Sequence, residues 1–338
     1  MDEPQRAKAS RWQSIKSKKS NLALLIAGVA LVLLAPIWHF AVAPALKVVP
    51  TDIDMLRSYQ GTMRQFARPP GQGAGAAATY NILVEQREFN PLGASTPEVA
   101  VLELDTSFID TAGHKRLTES RTRYAVDRRS AKQVKDGVSA RPRGGYFLVF
   151  PFNTPKADIP VWDDATGRPQ VGGFSGKTTY GGVSAYVFKE EYSDQPLASP
   201  PPGFPARMTG AQMKQMLGAQ VAGVADTDVI TADYRGSLAT EFLVEPVSGS
   251  LVGTREASRT ESVLLKDLTN GLALGRDIEK LDVKETVTSL SGGASFASEE
   301  IKKIRLQYEY IPLGLLALGI ACALIGAFAG VKDRESRG

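Results

Sequence analysis

Two long stretches of this sequence carry no charged residue, and they restrict the folds open to the chain. The first runs over 21–44 and the second over 311–331. About 20 apolar residues in a helix cross the hydrocarbon core of a bilayer, which is about 30 Å thick. Trp38, Tyr308 and Tyr310 lie near the ends of the stretches, as aromatic residues do at membrane interfaces. The sequence therefore predicts two transmembrane helices.

Basic residues set the expected orientation of these two spans. Six of them precede the first span, namely Arg6, Lys8, Arg11, Lys16, Lys18 and Lys19. Only Lys47 follows it closely, so the positive-inside rule places the N-terminus in the cytoplasm. A second span returns the C-terminus to the same side, where Lys332, Arg334 and Arg337 agree. We expect a two-pass protein of the plasma membrane, with both termini cytoplasmic and the central domain outside.

The expected domain boundaries follow the same stretches. They are a basic cytoplasmic tail over 1–20, transmembrane helix 1 over 21–44, an extracytoplasmic domain over 45–308, transmembrane helix 2 over 309–331 and a cytoplasmic tail over 332–338. Ala41-Val42-Ala43 resembles a signal-peptide cleavage site, which is the alternative for the first stretch. The run is long for a signal peptide and Pro44 would follow the cut, so we favour an uncleaved anchor.

Charge and cysteine content exclude several classes of protein. The chain has 40 Lys and Arg against 36 Asp and Glu, a net charge of +4. Residues 1–20 alone carry +4 and 332–338 carry +1, which leaves −1 for the rest. The sequence therefore predicts no nucleic-acid partner, since no basic patch remains outside the tails. The single cysteine, Cys322, lies in the second span, so the outer domain has no disulfide.

The central region predicts an α+β fold that is mainly β, a large β-rich domain built as a sheet or barrel-like structure with a few helices. Alternating or strongly apolar segments indicate strands; they lie at 80–85, 99–104, 119–127, 145–152, 178–192, 228–234, 238–244, 250–260 and 283–290. A short helix is possible at 53–66. Gly292-Gly293 is expected to break the chain, and Ser298 to cap a last helix.

One internal helix has a clear start signal. Thr209 and Gln212 have the spacing of a capping box, in which each side chain bonds the backbone of the other. Met213, Met216 and Leu217 then fall on one face at helical spacing. This face is either an adaptable, methionine-lined surface for an apolar ligand or an ordinary face packed on the sheet.

Catalytic and metal-binding patterns are missing from the central region. Its one histidine is His114, and it has no cysteine, so we expect no His/Cys metal site, no cofactor and no enzyme. Asp163-Asp164 and Glu190-Glu191 are adjacent carboxylates. Neighbours on a strand point to opposite faces, so neither pair is expected to form an acid/base dyad.

Residues 145–188, GYFLVFPFNTPKADIPVWDDATGRPQVGGFSGKTTYGGVSAYVF, resemble a known family. The shared pattern is an apolar segment ending in Phe-Pro-Phe, a spacer to Pro-Val-Trp-Asp, a Thr-Gly turn and a later Gly-Gly-Val strand. Residues 244–249, VEPVSG, are similar to its later hairpin, with Ser248 in place of Thr. The family is a group of actinobacterial membrane proteins labelled porin PorA, and the resemblance implies no catalytic residues. The layout is also similar to that of the class B scavenger receptors, whose outer domain encloses a lipid tunnel.

Three functions are compatible with this sequence. The first is a non-enzymatic envelope protein that binds or passes a hydrophobic, lipid-like ligand, with candidate residues Leu148, Phe150, Trp162, Met213 and Met216; ordinary core packing is the alternative for all five. The second is an accessory subunit of a membrane complex, docked through the small residues Gly319, Ala323 and Ala327. The alternative for these three residues is packing against the first span. The third is an oligomeric channel, because two apolar helices do not enclose a pore.

Overall fold

The computed structural model describes residues 3–71, 77–135, 143–217, 224–266 and 274–335. The chain divides into two compact units. One holds the two ends of the chain, up to Val48 and from Ile301, and the other runs from Val49 to Glu300. The predicted fold class, α+β with mainly β structure, is confirmed.

The first unit is a pair of long helical segments. Its elements are α1 (Glu3–Ile37), a π-helical turn (Trp38–Val42), α2 (Ala43–Leu46), a second π-helical turn (Leu306–Tyr310) and α5 (Ile311–Glu335). Two stretches, Lys19–Leu46 and Val287–Ala329, are long and apolar enough to cross a membrane. Trp38 Nε1 donates a hydrogen bond to the Gln307 carbonyl at 2.9 Å, which joins the two π-helical turns.

Small residues let α1 and α5 approach closely. A Cβ atom on Gly28 would lie 2.5 Å from Ala323 N and 2.6 Å from Gly319 O, so only glycine fits there. The predicted small-residue face of α5 thus lies against α1 at Gly319 and Ala323. Ala327 is exposed, and Gly326 lies against Leu25 instead. The reason is helical geometry, since a contact stripe advances by alternating steps of four and three residues.

The described residues of the second unit form an 11-stranded antiparallel sheet. The strands are β1 (Asp54–Gln65), β2 (Ala78–Phe89), β3 (Val99–Asp110), β4 (Lys115–Asp127), β5 (Ile159–Asp163), β6 (Arg168–Tyr180), β7 (Val183–Pro196), β8 (Arg207–Thr209), β9 (Val229–Val244), β10 (Leu251–Lys266) and β11 (Leu274–Glu285). Their order is β4-β3-β2-β1-β11-β10-β9-β7-β6-β5, and β8 pairs with β9. Two helices complete the elements, α3 (Gly210–Leu217) and α4 (Val287–Arg305).

Several apolar clusters share the core of this unit. One lies beneath α3, a second between β3, β4 and the segment 146–152, a third around the phenylalanines of β7 and β9, and a fourth between β1, β2 and β11. Among the described strands, β4 and β5 are the two ends of the strand order, and the short β8 pairs only with β9. The sheet curls, so side chains of distant strands face one interior.

Two expectations about the N-terminal half of the unit were wrong. The helix considered at 53–66 is the strand β1, because pairing with both β2 and β11 overrides the weak helical pattern. The expected strand at 145–152 is irregular. Leu148 has φ of +61°, and Val149 N donates to Phe147 O at 2.8 Å, which closes a three-residue turn.

The C-terminal part of the unit also departs from expectation. Strand β11 ends at Glu285, and α4 begins at Val287, so the expected strand at 283–290 and the helix start at Ser298 were wrong. Gly292 and Gly293 lie inside α4 and do not break it. A Cβ on Gly293 would overlap the Val252 carbonyl, so this glycine provides close packing of helix on sheet.

Candidate ligand cavity inside the curled sheet

The curl of the sheet encloses a partly open cavity of about 410 Å³. Nine strands contribute to its wall, through side chains that include Tyr59, Val84, Thr106, Ser120, Val161, Glu190, Leu238, Thr254 and Leu281. Sites for small ligands in proteins typically have volumes of about 300–1,000 Å³ and apolar walls with a few polar groups. The size and position of this cavity make it the candidate functional site.

Aromatic rings form one side of the cavity. The Phe150 ring stacks on the Phe242 ring at a centroid distance of 5.4 Å, and Phe242 stacks on Phe188 at 5.6 Å. Phe150 and Phe242 line the cavity together with Leu148. Phe150 is therefore both a core residue and part of the wall, so its ring can contact a ligand without changing its own packing.

The irregular segment 146–150 is held in place from two directions. Tyr146 N donates to Pro160 O at 2.9 Å, and Trp162 N donates to Tyr146 O at 2.8 Å, which pairs the segment with β5. Phe150 N donates to Gly249 O at 3.0 Å, in the turn between β9 and β10. Phe147, Leu148 and Phe150 of this segment line the cavity.

Two carboxylates from different strands lie at the polar end of the cavity. Asp163 ends β5 and Glu190 lies in β7, and both line the wall. Asp163 Oδ2 accepts hydrogen bonds from the Tyr192 hydroxyl at 2.8 Å, the Thr166 amide at 2.9 Å and the Thr166 hydroxyl at 2.7 Å. Because Asp163 is so well bonded, its carboxylate has a fixed position beside Glu190.

Glu190 differs from Asp163 because it lacks such bonds. Glu190 is 5% exposed, and its Oε1 atom has no hydrogen-bond partner among the described residues. Burial, together with the negative charge of Asp163, raises the pKa of Glu190 to about 8. The same environment raises the pKa of the Tyr192 hydroxyl, mainly through burial. Glu190 is thus a buried polar group whose bonding capacity is unused.

A larger groove lies on the opposite face of the sheet, with a volume of about 890 Å³. Several of its charged side chains form ion pairs. Glu241 lies 2.7 Å from Arg255 and 3.7 Å from Lys189, while Lys284 lies 3.8 Å from Glu256. Glu190 borders both spaces, but its side chain shares a strand face with Phe188 and Tyr192. This inward, unpaired carboxyl and the aromatic wall favour the interior cavity as the functional site.

The structure places the five predicted ligand residues in two locations. Leu148, Phe150 and Trp162 meet at the interior cavity. Met213 and Met216 lie in the separate apolar cluster beneath α3 and are buried there. Trp162 Nε1 donates to Asp164 Oδ1 at 2.7 Å, so the indole is held by its polar edge.

Helix α3 begins as its sequence signal predicts. Gln212 N donates to the Thr209 hydroxyl at 3.2 Å, and Thr209 N donates to Gln212 Oε1 at 2.9 Å. The capping box is therefore confirmed. Its methionines belong to the same buried cluster as Met208 and Ile230, which is core packing.

Sequence reasoning missed the pairing of Asp163 with Glu190. The sequence analysis considered Asp163 only with Asp164 and Glu190 only with Glu191, and the two members of each pair differ in solvent exposure. Glu191 and Asp164 are exposed, while Glu190 is buried. The available signal was the spacing of Phe188, Glu190 and Tyr192, which places the carboxylate on the same strand face as two aromatic residues.

Among the described residues, no group of three or more His, Cys, Asp or Glu side chains is placed to hold a metal ion.

Comparison with known proteins gives one match. Residues 21–328 match the family model described as Porin PorA. A comparison with curated proteins gave no match. The matched range includes the first apolar stretch, the whole curled sheet and most of the second apolar stretch.

Proposed function

The chain belongs to the PorA porin family, and from that premise we propose that its 49–300 unit binds a small, lipid-like amphipathic ligand in the interior cavity. Family membership together with the two apolar helices makes it a porin-like membrane protein. The same membership indicates a non-enzymatic, channel-type protein. The ligand is the part that this proposal adds.

The cavity is the observation that carries the proposal. Its volume of about 410 Å³ lies toward the lower end of the range for small-molecule sites, which suits a single-chain amphiphile better than a two-chain lipid. Phe150, Phe242 and Leu148 provide an apolar surface, and Glu190 with Asp163 provides a polar end. An amphiphile matches both surfaces, because its tail replaces water at the rings and its head bonds the polar groups.

Native mass spectrometry tests the proposal on the full-length protein, extracted gently from its own membrane. We expect a discrete small-molecule mass to stay bound. Replacing Leu238→Trp fills the cavity and should abolish that mass, whereas Ala239→Trp, on the opposite face of the same strand, should retain it. An identical bound mass in both variants, or none in the wild type, would contradict the proposal.

We propose further that both termini are cytoplasmic and that residues 45–308 lie outside. The excess of Lys and Arg before the first span supports this orientation. The test uses a cysteine-free background, Cys322→Ala, with a single new cysteine at Ser17 or at exposed Leu92. A membrane-impermeant maleimide added to intact cells should label the Leu92→Cys protein only. Labelling of the Ser17→Cys protein would reverse the orientation.

The family description favours an oligomeric channel as a second candidate. A channel requires several copies, because the described apolar helices are only two and contact each other through Gly28 and Gly319. If the protein were instead an accessory subunit of a membrane complex, it would have to dock through another surface, because α1 occupies the face at Gly319 and Ala323. Planar-bilayer recordings of cross-linked oligomers and of monomer distinguish the candidates: conductance from the oligomer alone supports the channel, and conductance from neither rejects it.

A further inference from the structure

We propose that the polar end of the interior cavity is a site for a cationic head group, in which Glu190 and Asp163 receive the ammonium of a single-chain amine. This inference rests on the proposed ligand-binding function and specifies the class of ligand. It follows from the geometry of the two carboxylates, the unused bonding capacity of Glu190 and the charges that surround it.

The missing hydrogen bond of Glu190 is the first observation. Buried polar atoms in proteins nearly always have a partner, and leaving one without costs stability. Glu190 Oε1 has none among the described residues, although the residue is 5% exposed and lines the cavity. A ligand group that donates a hydrogen bond would supply the missing partner.

The charges around Glu190 decide which donor fits. Asp163 and Asp164 line the same end of the cavity and carry negative charge. The one cationic side chain in the lining, Arg259, is bonded to Glu261 through its Nη2 atom, while its Nε has no partner among the described residues. Asp164 has Arg143 as its own partner, at 3.3 Å. A positive head group is therefore complementary to the unpaired carboxyl, and a negative one would be repelled by Asp163.

The raised pKa of Glu190 fits a carboxyl group that has no positively charged partner among the described residues. Burial and the charge of Asp163 raise its pKa, and no described cation offsets them. A primary ammonium has three N–H donors, enough for Glu190 Oε1 and for further acceptors nearby. Its arrival would stabilise the ionised carboxylate, so binding of the amine and loss of the Glu190 proton are coupled.

The apolar part of the cavity defines the rest of the ligand. Phe150 and Phe242 are stacked beside the polar end and present ring surface to the interior. An alkyl chain attached to the ammonium would lie against these rings. The combination identifies a single-chain aliphatic amine, or a lipid with one chain and an amine head.

The test compares three probes with the same dodecyl chain, namely dodecylamine, dodecanol and dodecanoate, on the full-length protein in a nonionic detergent at pH 9, above the pKa of Glu190. Native mass spectrometry gives the concentration of each probe that half-saturates a one-to-one complex. Dodecylamine is protonated at this pH. Because a hydrogen bond to a charged group contributes about 1.5–3 kcal/mol, the amine should bind at least about tenfold more tightly than the alcohol.

Variants separate the head-group site from the cavity itself. Glu190→Gln should weaken amine binding by about tenfold or more and leave dodecanol within about twofold. Glu191→Gln, one residue along and exposed, should change neither. Leu238→Trp should abolish binding of all three probes.

Each outcome decides one of the two proposals. Equal binding of the three probes, tighter binding of dodecanoate, or no effect of Glu190→Gln on the amine would overturn the head-group assignment while leaving the cavity as a ligand site. Binding of none of the probes to the wild type, or binding that Leu238→Trp does not alter, would overturn the proposed function itself. The comparison among probes on the wild-type protein does not depend on any variant folding correctly.

Discussion

Arg57 Nη1 lies 3.3 Å from Glu285 Oε1, and the two side chains are 3% and 0% exposed. Arg57 also donates to the carbonyls of Leu251 and Val252, at 2.7 and 3.2 Å. Glu285 Oε2 accepts from Thr254 N at 2.5 Å. This network connects β1, β10 and β11 at the centre of the sheet, where any unpaired charge would be cut off from water.

Glu285→Gln should therefore destabilise the protein strongly. Removing one partner of a buried ion pair leaves the other charge uncompensated and costs about 3–5 kcal/mol. Thermal unfolding of the full-length protein in detergent, followed by far-ultraviolet circular dichroism, measures the effect. The control is the exposed pair of Arg87 with Asp54, at 2.8 Å, where Arg87→Ala should have a much smaller effect because solvent screens the pair. Equal losses in the two variants would refute the assigned role of the buried pair.

Glu190 should make stability depend on pH. Its folded-state pKa of about 8 lies above the ordinary value of 4.5, so folding favours the protonated carboxyl. This contribution is fully present below about pH 4.5 and is lost as the pH rises through 8, to an extent on the order of a few kcal/mol. Asp163, Asp164, Tyr192 and Arg259 surround the group in the cavity lining or beside it.

The pH effect is measured from the unfolding temperature at pH 5 and pH 9. Wild type should lose more stability between these values than Glu190→Gln, because the amide does not titrate. Glu191→Gln is the matched control and should behave as wild type, since that neighbour is exposed. Burial also raises the pKa of Glu88, so some dependence should persist in every variant. Parallel pH profiles for wild type and Glu190→Gln would show that Glu190 does not contribute.

Gly249 should tolerate no side chain. Its φ is +72°, and a Cβ atom would overlap the carbonyl of Phe150, which supports the cavity wall. Gly249→Ala should therefore suffer both the left-handed strain of about 1–2 kcal/mol and a steric clash. Gly182 has a similar φ of +78° but no atom within 4 Å of a Cβ, so Gly182→Ala isolates the strain. Urea unfolding of both variants should show the larger loss at Gly249; the reverse order would contradict the close approach.

The α1–α5 contact should depend on Gly319. A Cβ there would lie 2.8 Å from Gly28 O and 2.9 Å from Val32 N, so Gly319→Leu should push the helices apart. Spin labels at Cys322 and at Val29→Cys report the separation by electron spin resonance. Gly314→Leu is the control, because nothing lies within 4 Å of its position. An unchanged distance in Gly319→Leu would contradict the assigned contact.

Patterns within a few residues correctly predicted one helix start and three strands. The spacing of Thr209 and Gln212 located the start of α3, and the alternation at 80–85, 99–104 and 119–127 located β2, β3 and β4. Predictions failed where a distant contact dominates. Gly293 interrupts no helix because it packs on Val252, and the segment 146–150 follows its bonds to β5 and to Gly249 rather than its own apolar pattern.

Composition and spacing within a few residues suffice to predict the two apolar helices and the mainly β fold class. They do not predict that Asp163 and Glu190 line one cavity while Met213 and Met216 lie elsewhere, because that depends on contacts between distant strands. Periodicity shows which residues share a face of one strand. Which faces meet depends on strand order, and here β1 pairs with β11 from the other end of the unit.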